Sequence, residues 1–392
     1  MRDEAVSAAV AGSPGTGGVA LVLSGGGARA AYQVGVLRAL ARRRPDLRVP
    51  VVTGVSAGAI NAALLACHPG SFREAVEVLS TLWAGLEVER VFRVDTRSLA
   101  SHLLRWSFRL VSGGGAFAPQ VRGLVDTAPL RELLVDALGA APDGALPGVA
   151  RALEAGRLRS LAVITSGYST GQSVVWVAGR EVESWERPDR RSVPARITVD
   201  HVMASAALPL FFPAVRLGHA WHGDGGIRLA TPLAPAIHLG ADRILAISTR
   251  YRRTLPEADR PTSVGYPPPL QIAGQLLNAI FLDMLDQDCL RVERLNLLLR
   301  ELPEEKRHGL RPIDVQAIRP SRDLGALAAE LEPRLPRAFR SLTRGLGSRE
   351  TSRPDLLSLL MFQGEYTRRL MDIGEADGEE RIAELERLVD RA

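Results

Sequence analysis

The sequence predicts an α/β fold in which a central, mostly parallel sheet is flanked by helices. Short apolar runs that end in glycine are followed, several times between residues 18 and 320, by stretches with helical periodicity. The chain has 392 residues, of which 46% are hydrophobic, so it can bury a large core around such a sheet.

The order of the elements predicts which strands are neighbours. Strands are predicted at 19–24, 49–55, 160–165, 173–177, 243–248 and 312–318, and helices at 28–43, 57–66, 232–239 and 271–302. Because one helix joins the first two strands, they are expected to be parallel neighbours. Their carboxyl ends should then share one edge of the sheet.

Three regions do not follow this alternation of strands and helices. Residues 1–17 are predicted to be a disordered tail, since their acidic start and weakly apolar stretch do not fit a secretory signal. Residues 83–125 are predicted to be an insertion whose helical face carries Leu99, Leu103, Trp106 and Leu110, serving as a lid, a membrane-contacting helix or a core helix. Residues 18–320 would form the main α/β domain. Residues 321–392 are predicted to be a helical extension that packs on that domain or on a partner.

Composition narrows the function classes. The net charge is +5, but the basic residues are nearly all scattered arginines without interleaved aromatics, which argues against a nucleic-acid partner. Cys67 and Cys289 are too few for a disulfide scaffold and fit a reducing compartment. No apolar run reaches the roughly 18 residues that span a bilayer. The expected location is cytoplasmic, with peripheral contact at an anionic membrane left open.

Acidic residues in the predicted helix 271–302 raise the question of a metal site. Asp283, Asp286 and Asp288 follow one another closely, but Leu276, Ile280 and Leu285 supply an apolar face. The three carboxylates are therefore predicted to lie on a solvated face of the helix, and no metal or cofactor is expected.

The turn after the first strand reads "SGGGARAAYQVGVL". Its backbone amides could hold a dinucleotide, a phosphate or an oxyanion at a helix start. Asp46 lies in the loop before the second strand instead of at that strand's end, so the ribose-binding acid of a dinucleotide site is misplaced. No Gly-Lys-Ser/Thr follows, which excludes a Walker-type phosphate loop.

The second strand ends in the Gly-x-Ser-x-Gly pattern Gly54-Val55-Ser56-Ala57-Gly58. Small neighbours let the serine occupy a tight strand-to-helix turn with its hydroxyl pointing outward. The turn also sets Ser56 at the positive end of the following helix, which favours a nucleophile that develops negative charge. Ser56 is therefore the candidate nucleophile.

A nucleophilic serine needs an oxyanion site and a base. Because the first two strands are predicted neighbours, the amides of Gly25, Gly26 and Gly27 should lie beside Ser56, and Arg29 would add positive charge or brace the loop. For the base, the candidate is Asp224, which stands in a glycine-rich turn together with Gly225 and Gly226.

Taken together, "SGGGARAAYQVGVL", "GVSAGA", "MASAALPLFFPAV" and "DGG" resemble, in order, the motifs of the patatin-like phospholipase family. The resemblance implies a three-layer patatin-like fold and a lipid acyl hydrolase with a Ser-Asp dyad, Ser56 as nucleophile and Asp224 as base. It implies Gly25, Gly26, Gly27 and Arg29 as the oxyanion region, with residues 204–213 lining the site. Ala30 departs from the glycine that the family often has there.

Three alternatives stay open. An α/β-hydrolase triad would use Ser56, Asp224 and His308, while His222 lies close to Asp224 in sequence. A lipid-binding scaffold would retain the fold without catalysis, and a dinucleotide-dependent oxidoreductase would bind a cofactor at the glycine turn. The expected partner is a lipid or phospholipid ester at a membrane surface; the lipid class, acyl position and oligomeric state stay open.

Overall fold

The computed structural model describes residues 18–93, 123–180, 183–261, 265–281, 284–345, 347–351 and 354–390. These residues form a sheet of ten strands. The strands are β1 (Gly18–Leu23), β2 (Val51–Val55), β3 (Ser160–Gly167), β4 (Ser173–Gly179), β5 (Glu186–Arg187), β6 (Arg190–Pro194), β7 (Val215–Leu217), β8 (Ala220–Asp224), β9 (Ala241–Ile247) and β10 (Asp314–Ile318).

The main path of the sheet has the order β10-β9-β1-β2-β3-β4-β6-β5. Strands β10, β9, β1, β2 and β3 are parallel, and β4 pairs antiparallel with β3. The central strands β1, β2 and β3 are buried almost throughout, which explains why they are continuous apolar runs without alternation. The predicted parallel pairing of the first two strands is confirmed.

Helices cover both faces of the sheet. They are α1 (Ala31–Arg43), α2 (Ala57–Cys67), α3 (Phe72–Ala84), α4 (Ala128–Ala137), α5 (Pro147–Glu154), α6 (Val199–Ser205), α7 (Ala234–His238), α8 (Leu255–Ala258), α9 (Pro269–Phe281), α10 (Met284–Glu301), α11 (Leu324–Leu331), α12 (Arg337–Gly345), α13 (Asp355–Leu360), α14 (Gly364–Glu380) and α15 (Ile382–Asp390). One core joins the sheet to α1–α6 and α11–α15, and a second joins it to α7 and α10. The predicted α/β class with a helix–sheet–helix arrangement is confirmed.

Strand β8 occupies a position that determines the site. On one side of β3, β2 ends with Val55 opposite Ile164, and β8 then continues the pairing with Asp224 opposite Thr165. Strand β4 occupies the other side of β3 along nearly its whole length. Strand β8 therefore extends beyond the end of β2, and Asp224 lies beside the turn where Ser56 leaves that strand.

The helices after residue 320 pack on the α/β core. Helix α14 lies against α1 so closely that a Cβ added at Gly35 would stand 2.0 Å from the Met371 carbonyl oxygen. A Cβ at Gly374 would stand 2.1 Å from the Tyr32 carbonyl oxygen. Glycines on both helices thus permit backbone contact, and α14 is joined to the helix that follows the glycine turn.

Substituting Gly374 by alanine is expected to lower the free energy of unfolding by about 3 kcal/mol, because backbone atoms would have to move to admit the methyl group. The matched control is Gly345→Ala at the end of α12, where an added Cβ has no atom within 4 Å. The control should leave stability nearly unchanged. Urea unfolding of both variants measures the difference, and equal midpoints would contradict this account of the α1–α14 contact.

Two helices, α9 and α10, replace the single predicted helix 271–302, and residues 282–283 between them lie outside the described part. The prediction of a solvated acidic face was wrong for Asp288. This residue is buried, and its carboxylate accepts a hydrogen bond of 2.9 Å from the Leu233 N–H. Burial raises the pKa of Asp288. Asp286 forms an ion pair with Arg319, and Asp283 is outside the described residues.

The apolar face predicted for this segment also needs correction. Leu285 is buried, but Leu276 is 61% exposed. Leu276 lies on α9 and Leu285 on α10, so they do not share the face that one continuous helix would give them, and the side chain of Ile280 lies outside the described part.

Residues 1–17, and the helical face predicted for Leu99, Leu103, Trp106 and Leu110, lie outside the described residues. Among the helices that are described, none combines the length and apolar character that crossing a bilayer requires.

Candidate active site

Ser56 occupies a strained turn between β2 and α2. Its φ and ψ are 56° and −134°, a combination that L-residues rarely adopt and that is typical of functional sites. The Ser56 N–H donates to Ser205 Oγ at 3.0 Å, and Ser205 Oγ donates to the Ile164 carbonyl at 2.6 Å. Ser205, on α6, therefore connects the serine turn to β3 and supports its strained backbone.

The two glycines of the Gly-x-Ser-x-Gly pattern are required by packing. A Cβ at Gly58 would stand 2.4 Å from the Leu23 carbonyl oxygen, and one at Gly54 would stand 2.5 Å from the Gly58 carbonyl oxygen. Small residues at these positions let the turn approach β1 and α2. The predicted setting of Ser56 at the first turn of a helix is confirmed, because it is the N-cap residue of α2.

The glycine turn after β1 lies beside Ser56. A Cβ on Gly25 would be 3.0 Å from Ser56 Cβ, while Gly26 and Gly27 both have positive φ and line the same cleft as Ser56. In the described part of the chain, the N–H groups of Gly25 and Gly26 donate to no other group. Of these two glycines, Gly26 lines the Ser56 cleft, whereas Gly25 lines a separate cavity behind the turn.

The turn is held from several sides. Thr249, which follows β9, donates to the Gly25 carbonyl at 2.6 Å. Arg29 is buried and donates to Ser358 and Asp355 of α13, and it does not line the cleft. Of the two roles predicted for Arg29, these contacts fit bracing of the loop. Ala30 has an ordinary helical φ of −65°, so its departure from glycine introduces no strain.

Asp224 is fully buried at the end of β8. Its Oδ1 accepts the Gly226 N–H at 2.9 Å, whereas Oδ2 has no hydrogen-bond partner among the described residues. Gly225 is needed because a Cβ there would stand 2.2 Å from the Ile164 carbonyl oxygen. Burial raises the pKa of Asp224 to about 7, although the nearby Ser56 hydroxyl and the Gly226 N–H favour its charged form.

Two histidines bear on the alternative of a catalytic triad. His222 Nδ1 lies 3.0 Å from Thr165 Oγ1, which also accepts the Trp176 indole N–H at 2.8 Å. Burial lowers the pKa of His222, so it is neutral near pH 7. His308 is on an exposed turn before β10, whereas Ser56 follows β2. Because these strands run parallel in the sheet, the turn with His308 precedes the amino end of a strand and Ser56 lies at the carboxyl end of one. No group of three His, Cys, Asp or Glu side chains suited to a metal ion occurs within the described ranges.

Ser56 and Asp224 line one narrow apolar cleft with a free volume of about 50 Å³. Its walls come from α3, α4, the segment after α6 and the segment around α13. Apart from Ser56, Asp224, Gly26 and Gly27, the lining residues are Ala57, Ile60, Leu82, Trp83, Leu86, Val91, Leu130, Leu133, Leu134, Ala206, Leu208, Phe212, Leu359, Leu360 and Phe362. Residues 204–213 contribute as predicted, whereas the α13 wall was not predicted.

A buried polar network lies behind the cleft. The Trp83 indole N–H donates to Asn61 Oδ1 at 2.8 Å, and Asn61 Nδ2 donates to Gln33 Oε1 at 2.9 Å. Gln33 Nε2 in turn donates to the Ser24 carbonyl at 2.8 Å. Every link is satisfied, so the network fixes a cleft wall relative to the start of the glycine turn.

The comparison with family models agrees with the motif resemblance. The model of the family described as patatin-like phospholipase matches residues 21–237, more than half of the chain. Human GIVD cytosolic phospholipase A2 in complex with methyl γ-linolenyl fluorophosphonate aligns with 95% of this chain and 59% of its own, at 15% identity and a TM-score of 0.46. VipD from Legionella pneumophila aligns with 92% of this chain and 67% of its own, at 15% identity and a TM-score of 0.37.

The type III effector ExoU of Pseudomonas aeruginosa aligns with 95% of this chain and 54% of its own, at 15% identity and a TM-score of 0.35. This chain thus spans about three fifths of the length of the human enzyme. No curated protein matched the chain.

Proposed function

The chain belongs to the patatin-like phospholipase family, and we propose that it hydrolyses fatty-acyl esters of lipids through a covalent intermediate on Ser56. The observation that carries the proposal is that Ser56, the buried carboxylate of Asp224 and the glycine turn at Gly26 and Gly27 line one apolar cleft. A strained serine, a base and oxyanion donors are the parts that acyl transfer requires.

In the first half of the proposed reaction, Ser56 Oγ attacks the ester carbonyl carbon while its proton moves to Asp224. The amides of Gly25, Gly26 and Gly27 receive the negative charge that develops on the carbonyl oxygen. The tetrahedral intermediate then breaks its bond to the alcohol oxygen. Asp224 returns the proton to that oxygen, and the alcohol or lysolipid leaves an acyl group on Ser56.

In the second half, water attacks the acyl-enzyme. Asp224 takes a proton from the water, and the second tetrahedral intermediate then breaks its bond to Ser56 Oγ. Asp224 returns the proton to that oxygen, which restores the Ser56 hydroxyl and releases the fatty acid. A carboxylate with an ordinary pKa would be a weak base at neutral pH. Burial raises the pKa of Asp224 to about 7, which brings its basicity into the range that a general base needs.

The cleft and its mouth support a lipid substrate. Apolar side chains form nearly all of the wall behind Ser56, which suits an acyl chain. Leu210 is 72% exposed and lies between Leu208 and Phe212, which line the cleft. We therefore propose that this segment contacts the surface of a membrane or lipid aggregate while the acyl chain enters the cleft.

Incubating the purified protein with a defined panel of phospholipids, lysophospholipids, neutral lipids and simple esters tests the proposal, with fatty-acid release measured by mass spectrometry. Ser56→Ala is the blank and should release no fatty acid. A fluorophosphonate should label the wild type but not this variant. Equal release by both proteins, or no release and no labelling by the wild type, would overturn the proposal and favour a lipid-binding scaffold.

His308→Ala separates the dyad from the triad. It should retain wild-type turnover, because His308 precedes the amino end of β10 whereas Ser56 lies at the carboxyl end of the parallel strand β2. A collapse of activity in His308→Ala would favour the triad.

A further inference from the structure

Helix α13 reaches the glycine turn from more than 300 positions away in sequence. Arg29 Nε donates to Ser358 Oγ at 2.7 Å, and Arg29 Nη2 donates to Asp355 Oδ1 at 2.7 Å. Arg29 is only 4% exposed, and charge-assisted bonds of this kind are strong and directional when water is excluded. The pair therefore fixes Arg29, and with it the start of the helix after the glycine turn.

The same segment contacts the turn through its backbone. A Cβ on Gly27 would stand 2.1 Å from the Leu359 carbonyl oxygen, so the two backbones touch. Leu359 and Leu360 also form part of the cleft wall. A displacement of α13 would consequently move both the glycine turn and the wall that faces an acyl chain.

The charge of Arg29 is directed away from the reacting ester. Its guanidinium is neutralised by Asp355 and is absent from the cleft lining, whereas Gly26 and Gly27 do line the cleft. The negative charge in the proposed reaction would then be met by backbone amides, whose positions must be accurate to a fraction of an ångström.

We propose that Asp355 is a positioning residue that acts through Arg29 to hold the Gly26 and Gly27 amides in place beside Ser56. The inference rests on the proposed ester hydrolysis. It assigns a part in turnover to the segment around α13, which lies outside the residues that the family model matches.

The test compares Asp355→Ala and the milder Asp355→Asn with the control Glu332→Gln. Glu332 is another buried carboxylate of the C-terminal region, but its partners are Ser348, Thr343 and Arg344 instead of Arg29. On a short, soluble ester, Asp355→Ala should lower kcat about 10- to 100-fold with KM within about threefold. Asp355→Asn should lose less, and Glu332→Gln should keep wild-type kcat.

A double variant tests the route through Arg29. If Asp355 acts through Arg29, adding Asp355→Ala to Arg29→Met should cause no further loss of kcat, because the interaction is already gone. Additive losses, an unchanged kcat in Asp355→Ala, or a rise in kcat would each overturn the proposal. A rise would mean that a freed Arg29 charge assists the reaction.

Hydrogen exchange separates failure of this inference from failure of the proposed function. The amides of residues 24–30 should exchange faster in folded Asp355→Ala than in the wild type. Their exchange rates should be unchanged in Glu332→Gln. Both results are expected whether or not an ester is hydrolysed. Unchanged exchange in Asp355→Ala overturns the positioning role. An inactive wild type that shows the expected exchange overturns the proposed function alone.

Discussion

Asp224→Asn is expected to lower kcat about 10⁴-fold on an ester that the wild type hydrolyses, because the amide cannot take the Ser56 proton. Asparagine has nearly the shape of aspartate and keeps an oxygen for the Gly226 N–H. The loss would therefore report on the missing base and not on a collapsed site. Steady-state kinetics measure it, with Ser56→Ala as the floor.

The same substitution should make the folded protein more stable above neutral pH. Burial raises the pKa of Asp224 from 3.8 to about 7, so the folded state binds its proton more tightly than the unfolded state does. The stabilisation by that proton is complete below pH 3.8 and is lost as the pH rises to about 7. At pH 8 the buried charge thus destabilises the fold, by about 2–4 kcal/mol.

Asparagine carries no such charge. Asp224→Asn should consequently raise the free energy of unfolding at pH 8, and the gain should shrink toward zero near pH 4. Urea unfolding at the two pH values checks both statements. An active Asp224→Asn protein would contradict the assignment of the base, and a variant that is less stable at pH 8 would contradict the account of its burial.

The sequence was sufficient for the parts of the site that depend on local geometry. The turn of Ser56 and the pairing of β1 with β2 follow from short-range patterns, because a glycine-flanked serine after an apolar strand has few conformations. The proximity of Asp224 to Ser56 does not follow in this way. It depends on β8 pairing with β3 beyond the end of β2. This long-range register cannot be read from the sequence pattern, and the prediction relied on the resemblance to a family instead.

Other parts of the site arise from contacts between distant segments. Ser205 and Thr249 are common residue types, and only the fold brings them to the serine turn and the glycine turn. Asp288 was misassigned for a related reason: a buried carboxylate can be satisfied by one backbone N–H, and nothing in the helical period of α10 signals that partner. Tertiary hydrogen bonds, unlike local periodicity, leave little trace in a single sequence.

The pH dependence of kcat/KM follows from the same buried carboxylate. Since only the deprotonated form of Asp224 accepts the Ser56 proton, and burial raises the pKa of Asp224 to about 7, the rate should rise tenfold per pH unit below that value and level off above it. Between pH 5 and pH 8 the expected increase is about 100-fold. Initial rates on a soluble ester measure the profile, while circular dichroism verifies folding at each pH.

His222→Gln is the control for this profile, because His222 lies two residues from Asp224 and its pKa is lowered by burial. The variant should keep a midpoint near that of the wild type. A midpoint that disappears in His222→Gln would assign the titration to the histidine. A midpoint near 4 in the wild type would mean that water reaches the carboxylate in the free enzyme. A midpoint near 7 in both proteins requires that the base stay buried in the free enzyme, since kcat/KM reports the pKa values of that state.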